Sequence, residues 1–212
     1  MSKTRLAVLG IAALLMAGCG PVHPGAAAVV GDTRIPMSDV DDGATVYCTA
    51  SLAQAQGQGQ EGGSAGIDTA ALRRQSLADL LSGEVADQIA EERGYEITVP
   101  ALGAEDKVQL EKLFGDQLEA AIVLVDRNRR TGAIAIEMAR ESDAQITDEE
   151  QLTQLGQQLL SEAIVDSDVS VDPRFGLDQT VQQVAESGSL SVAGGELDAT
   201  AVEDRPAALQ CS

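Results

Sequence analysis

The apolar positions of this chain form one uninterrupted run near its start, Leu6 to Met16, and beyond it a series of spaced ladders. The clearest ladder is Leu77, Leu81, Val85 and Ile89, repeating every four residues with Leu80 beside it. Arg73, Arg74, Asp79, Glu84, Asp87 and Glu91 take other positions of the same stretch, so the spacing predicts a long amphipathic helix. Asp68 or Thr69 is placed to cap its start, and Gly94 to end it after Arg93. After a boundary at Pro100, Leu110, Leu113, Phe114, Leu118, Ala121, Ile122 and Val125 repeat at helical spacing and predict a second long helix. A third is expected from Thr131 to Ser142, although Ala133-Ile134-Ala135-Ile136 also fits a strand. Thr147-Asp148-Glu149-Glu150 reads as a capping box opening a further helix through Leu152, Leu155, Leu159, Leu160 and Ile164.

Shorter signals bracket these helices. Val29 and Val30, a Gly31-Asp32 turn and Thr33-Arg34-Ile35 predict a small hairpin or strand. Ser38 is a suitable N-cap for the next segment, with Asp39, Asp41 and Asp42 in its first turn and Val40, Ala44, Tyr47 and Cys48 along one side. Residues 53–66 are rich in Gln and Gly without apolar periodicity, so a flexible loop is expected there. Asp168-Val169-Ser170-Val171-Asp172 alternates like a strand, Pro173 restricts Asp172 to extended geometry, and Gly176 permits a turn after Phe175. From Gln179 onward Gly188, Gly194 and Gly195 interrupt the pattern, leaving a short helix and loops, with residues 193–212 as a tail.

The apolar run at the start has a different meaning. It follows Lys3 and Arg5, is too short to span a bilayer, and ends in Leu15-Met16-Ala17-Gly18-Cys19. Two small residues before a cysteine suit a peptidase cleft and an acylated thiol. The segment resembles a bacterial lipoprotein signal, with Met16 where Leu is usual. Residues 1–18 are then the signal peptide, Cys19 the lipidated first residue bearing palmitate-type chains, and 19–25 a tether whose Pro and Gly content precludes regular structure. The expected location is the extracytoplasmic face of the cell membrane. Each buried methylene contributes about 0.8 kcal/mol, so several acyl chains anchor a protein firmly.

Charge narrows the partners. Lys3 and Arg5 leave with the signal, taking the formal net charge from −20 to −22. A nucleic-acid partner is excluded, and the folded part is expected to stand off an anionic membrane. Aromatic residues make up 2% of the chain and Trp is absent, which disfavours stacking platforms and leaves a core of Leu, Ile, Val and Ala. With Cys19 acylated, Cys48 and Cys211 are the remaining thiols in an oxidising compartment, and a disulfide between them is the natural expectation. The loop it closes is long enough for about 4–5 kcal/mol of chain-entropy stabilisation.

A family pattern is visible at the two ends of the folded region. Val29-Val30-Gly31-Asp32-Thr33-Arg34-Ile35, then a helix, then Leu72-Arg73-Arg74-Gln75-Ser76-Leu77-Ala78-Asp79-Leu80-Leu81 running to Gly94-Tyr95, resembles the N-terminal chaperone domain of the SurA, PrsA and trigger-factor group. Val171-Asp172-Pro173-Arg174-Phe175-Gly176 followed by Leu190-Ser191-Val192 resembles the closing strand of an actinobacterial lipoprotein subgroup that carries this domain. The resemblance covers residues 26–192. It implies an α+β, mostly α fold in which an early and a late strand meet beneath long helices that hold extended polypeptide. Longer members add a parvulin isomerase domain built around His; here His23 is the only His, so isomerase activity is not implied.

The chemistry carried by the remaining residues is sparse. Without His in the folded region, His-dependent triads and His-based zinc sites are excluded, and two free thiols cannot make a four-cysteine site. Asp39, Asp41, Asp42 and Gly43 are similar to the start of a calcium loop but lack its repeat spacing and terminal Glu, so helix capping explains them better, and Gly62-Gly63-Ser64-Ala65-Gly66 lacks the Lys of a phosphate loop. Thirty-four acidic residues make a chance carboxylate pair inevitable, which gives such a pair no weight. Arg127, Arg129 and Arg130 form the one basic cluster and are expected to offset carboxylates near a helix end, with docking of an acidic partner as the other role. The expected protein has no catalytic residues, cofactor or metal and binds unfolded or exported polypeptides; the alternative is a structural or accessory subunit of a cell-envelope complex.

Overall fold

Two short strands come first among the described residues. β1 (Ala26–Val30) turns through Gly31 and Asp32 into β2 (Thr33–Pro36), with Gly31 at φ +56°, a conformation a side chain would disfavour. The structure, a computed structural model, describes residues 24–57, 67–177 and 211. Cys19 and its signal, His23, residues 58–66 of the expected loop and Leu190-Ser191-Val192 lie outside the described residues.

β3 (Val169–Val171) lies along the other edge of β1, giving an antiparallel sheet of order β2-β1-β3. Val30 stands opposite Val169 and Ala28 opposite Val171. Two bonds extend this pairing: the Gly31 N–H donates to the Asp168 carbonyl at 2.9 Å and the Asp172 N–H to the Ala27 carbonyl at 2.9 Å. Early and late strands therefore meet, and the fold is α+β and mostly helical. Just past β3, Asp172 caps a short 3-10 turn, Pro173–Phe175, by accepting the Arg174 N–H at 2.9 Å. Its carboxylate also receives the Arg174 guanidinium, which holds it below the usual carboxylate range. The turn drives Phe175 into the core, where the Arg73 guanidinium lies over its ring, 5.6 Å from the centroid.

Five α-helices pack around and beside this sheet: α1 (Met37–Gly57), α2 (Thr69–Arg93), α3 (Ala104–Phe114), α4 (Leu118–Ser142) and α5 (Glu149–Asp166). α2 follows its sequence signals closely. Asp68 accepts the Ala70 N–H at 2.9 Å, and Gly94 ends the helix at φ +68°. Its ladder is core: Leu77, Leu81 and Val85 are buried with Val30, Ile134 and Leu160, so this face is not an open groove.

Elsewhere the helix boundaries depart from expectation for local reasons. α1 begins at Met37, so Ser38 lies inside it and its hydroxyl meets the Asp39 carboxylate, not a backbone N–H. The Met37 N–H at the start of the helix is satisfied by the Gly25 carbonyl at 2.9 Å. α1 also continues to Gly57, so the loop does not begin at 53; Ala and Gln favour helix even without an apolar stripe. The predicted 110–125 helix is broken at Gly115, where φ is +51°, by a 3-10 turn over Gly115–Gln117. α4 then runs unbroken through Arg127, Arg129 and Arg130 to Ser142, and Ala133 to Ile136 are helical with Ile134 and Ala135 buried. The N-cap of α5 is Asp148, which accepts the Gln151 N–H at 2.9 Å, one residue later than the Thr147 capping box. A full negative charge suits the helix N-terminus better than a hydroxyl.

α4 and α5 touch at Gly156, where an added Cβ would run into the Ala135 carbonyl. Gly156→Ala gains about 1 kcal/mol in helix propensity and loses about 1–3 kcal/mol by overpacking. Because the obstacle is backbone, the second effect is expected to win. Thermal denaturation should show a lower Tm for the variant, and an unchanged or higher Tm would contradict this close packing.

Candidate functional site

A cleft of about 520 Å³ lies among α1, α2 and the start of α4. Its floor is apolar, built from the buried Leu80 and Leu124 with Val123, 56% exposed, beside them. Its rim is acidic. Asp39 and Asp42 come from α1, Asp116 from the Gly115–Gln117 turn and Glu119 from the first turn of α4. Arg127 is the single cation among the lining residues.

Helical spacing explains why these groups converge. Asp39, Asp42 and Gly43 lie three and four residues apart and so share one side of α1. The break at Gly115 lets Asp116 and Glu119 approach from a different direction than a continuous helix would allow. Two glycines set the width. A Cβ at Gly43 would strike the Ser76 hydroxyl, and one at Gly83 would lie 3.1 Å from the Arg127 Cγ and Cδ. Gly43 thus lets α1 approach α2, and Gly83 lets the Arg127 stem lie on α2. Ser76 lines the cleft, is fully buried, and its Oγ has no hydrogen-bond partner among the described residues.

Next to the cleft wall, the half-buried Tyr47 hydroxyl of α1 donates to Asp79 of α2. Asp79 is three residues from Ser76 and four from Gly83, on the same side of its helix. Burial pushes the Asp79 carboxyl upward, opposed by the bond from Tyr47. Burial, followed by the neighbouring carboxylate, raises Tyr47 well above the ordinary phenol range, while Asn128 acts to lower it. Asp79 is thereby committed to holding α1 on α2. Among the described residues no group of three His, Cys, Asp or Glu side chains is placed to hold a metal ion.

The residues singled out by sequence fall in several places. Arg127 enters the cleft, whereas Arg129 pairs with Asp126 at 3.5 Å and Arg130 with Asp87 at 2.6 Å, all within α4 and away from its ends. The position near a helix end is corrected, because α4 has no break there. Asp41 turns from the cleft to Arg73 at 2.7 Å. Cys48 on α1 lies beside Cys211, with Cα atoms 5.6 Å apart, a separation a disulfide spans. Cys211 is buried against Ala44 and Leu72. Sequence reading did not find the cleft residues Ser76, Asp116 and Glu119 or the nearby Gly83, and it weighed Gly43 only as part of a calcium loop. Glycines inside helical patterns were the available signal, since each costs about 1 kcal/mol unless close packing requires it.

Compared with protein-family models, curated proteins and solved structures, the chain matches none of them.

The Tyr47–Asp79 bond generates a pH prediction. Above the ordinary value of 3.8, and up to its raised value, folded Asp79 keeps a proton that the unfolded chain releases. Stability contributed by this residue therefore falls as pH rises through that window, and Asp79→Asn should remove the fall. Tyr47→Phe removes the bond that opposes burial, moves the upper edge of the window upward and costs about 1–3 kcal/mol near neutral pH. Denaturant titrations across roughly pH 4 to 8 check this; identical profiles for the parent and Asp79→Asn would contradict it.

Proposed function

We propose that this chain is a lipid-anchored protein of the extracytoplasmic membrane face that holds unfolded or exported polypeptide without catalysis. The cleft among α1, α2 and α4 carries this reading: Leu80, Val123 and Leu124 offer an apolar floor between helices whose other faces are consumed by the core. A volume of about 520 Å³ accommodates a few side chains of an extended segment, within the range of clefts that hold small ligands. The chaperone-domain resemblance of residues 26–192 and the meeting of β1 with β3 support the same reading.

Attachment is assigned to lipid on Cys19. No helix among the described residues is long and apolar enough to cross a membrane. A Cys48–Cys211 disulfide belongs to the same reading, because an exported chain meets oxidising chemistry and the two residues lie at bonding separation. It would close a separation of 163 residues and fix the end of the chain against α1 and α2.

Three measurements test this. Mass spectrometry of membrane-extracted protein should find a diacylated Cys19 and no peptide from residues 1–18; an intact N-terminus would refute the anchor. Non-reducing digestion should yield one linked Cys48–Cys211 peptide pair, whereas quantitative labelling of both thiols without reductant would refute the bridge. The purified full-length chain should suppress light scattering by a denatured client at near-stoichiometric ratios. Val123→Asp should abolish that effect without lowering Tm, since Val123 is more than half exposed. Failure with several clients would favour the envelope-subunit alternative, and prolyl-isomerase turnover above background would refute the non-catalytic part.

A further inference from the structure

Polypeptide binding by itself requires only an apolar floor, yet this cleft places Asp39, Asp42, Asp116 and Glu119 around it against the single cation Arg127. Like charges around one concavity repel one another and focus a negative potential into it. None of the four makes an ion pair with Lys or Arg among the described residues, whereas the nearby Asp41 pairs with Arg73 and Asp87 with Arg130. Nor do the carboxylates form a metal cage, because no group of three candidate ligands is placed to hold an ion among the described residues. An apolar floor under an acidic rim is the complement of a side chain with an aliphatic stem and a cationic head.

Ser76 is a second, independent observation. Its side chain is fully buried in the cleft wall, and its hydroxyl, able to donate and to accept, has no partner among the described residues. Buried hydroxyls are normally paired, and an unpaired one at the wall of a cavity is open to a partner supplied from the cleft.

We infer that the cleft is a receptor for basic, apolar-flanked polypeptide segments. The Lys or Arg head sits among Asp39, Asp42, Asp116 and Glu119, neighbouring apolar side chains rest on Leu80, Val123 and Leu124, and a backbone polar group of the segment pairs with the Ser76 hydroxyl. The inference rests on the polypeptide-binding reading and adds which segments are selected.

The test is fluorescence anisotropy of the purified full-length chain with three labelled peptides that share length and Leu positions and carry Lys, Gln or Glu at the remaining ones. The Lys peptide should bind about tenfold more tightly than the Gln peptide and the Glu peptide least, with the Lys preference shrinking as salt is raised. Asp42→Asn combined with Glu119→Gln should weaken the Lys peptide roughly three- to tenfold while leaving the Gln peptide unchanged. Arg127→Gln should strengthen the Lys peptide. Ser76→Ala should raise the Tm of the free protein, by removing an unpaired buried group, yet weaken the Lys and Gln peptides about tenfold. Equal affinity for Lys and Gln peptides would overturn the inference and leave polypeptide binding intact. Absence of binding by all three would overturn both, and saturable binding of spermidine in that case would identify a small organic-cation site. A Ser76→Ala variant that is more stable with unchanged affinity would refute the role of the hydroxyl.

Discussion

The α2 helix is packed by α1, α4, α5 and the sheet at once, and the places where they meet it are set by residues too small to hold them away. Gly43 admits the Ser76 side chain, Gly83 receives the stem of Arg127, and Ala86 and Ala90 are buried in the core that joins α2 to the sheet. Between these contacts Leu77, Leu81 and Val85 supply the apolar area whose burial drives the assembly. The cleft is a consequence of this arrangement: α1 and α4 both rest on α2, and where they meet above Leu80 the space is left to solvent. The strand pairing of β1 with β3 performs a related task at the other end, bringing residues far apart in the chain against the same helix.

Electrostatics divides the surface into two kinds of carboxylate. Those that tie elements together have partners: Asp41 with Arg73 joins α1 to α2, Asp87 with Arg130 joins α2 to α4, and Glu141 receives Arg93 from the end of α2 at 2.5 Å. Each such exposed pair contributes little stability, of order 0–1 kcal/mol, and acts mainly on how the helices are aligned. The carboxylates of the cleft rim make no such ion pair among the described residues, and Arg127 is the one cation lining the cleft with them. In a protein of formal charge −20 this places the apolar floor of the cleft within a negative field.

Much of the fold can be read from the chain because its strongest signals are local. The Leu77 to Ile89 ladder, the Asp68 cap and the Gly94 stop define α2 without reference to the rest of the protein, and the Gly31-Asp32 turn defines the hairpin. The misreadings occur where tertiary contacts or propensity outweigh the apolar pattern. Ser38 looks like a cap until the helix is seen to start one residue earlier, at Met37, and the polar stretch at Arg127 to Arg130 looks like a break until Arg130 is seen to reach Asp87. The candidate site was hardly legible. Its carboxylates come from α1, a 3-10 turn and α4, and nothing in their sequence spacing announces that they converge. Gly115 lay inside an otherwise continuous helical pattern, and the turn it starts is what carries Asp116 to the rim.

The central claim is that the cleft, not the buried faces of the long helices, receives polypeptide. A photo-activatable residue in place of Val123, used in living cells and followed by peptide mapping of the adducts, tests it most directly. The account predicts crosslinks to segments of several different exported chains, enriched in Lys or Arg beside apolar residues, and their loss when Asp42 and Glu119 are neutralised. Crosslinks confined to one folded partner, or none from Val123 while a probe at Val165 on α5 reacts, would contradict it.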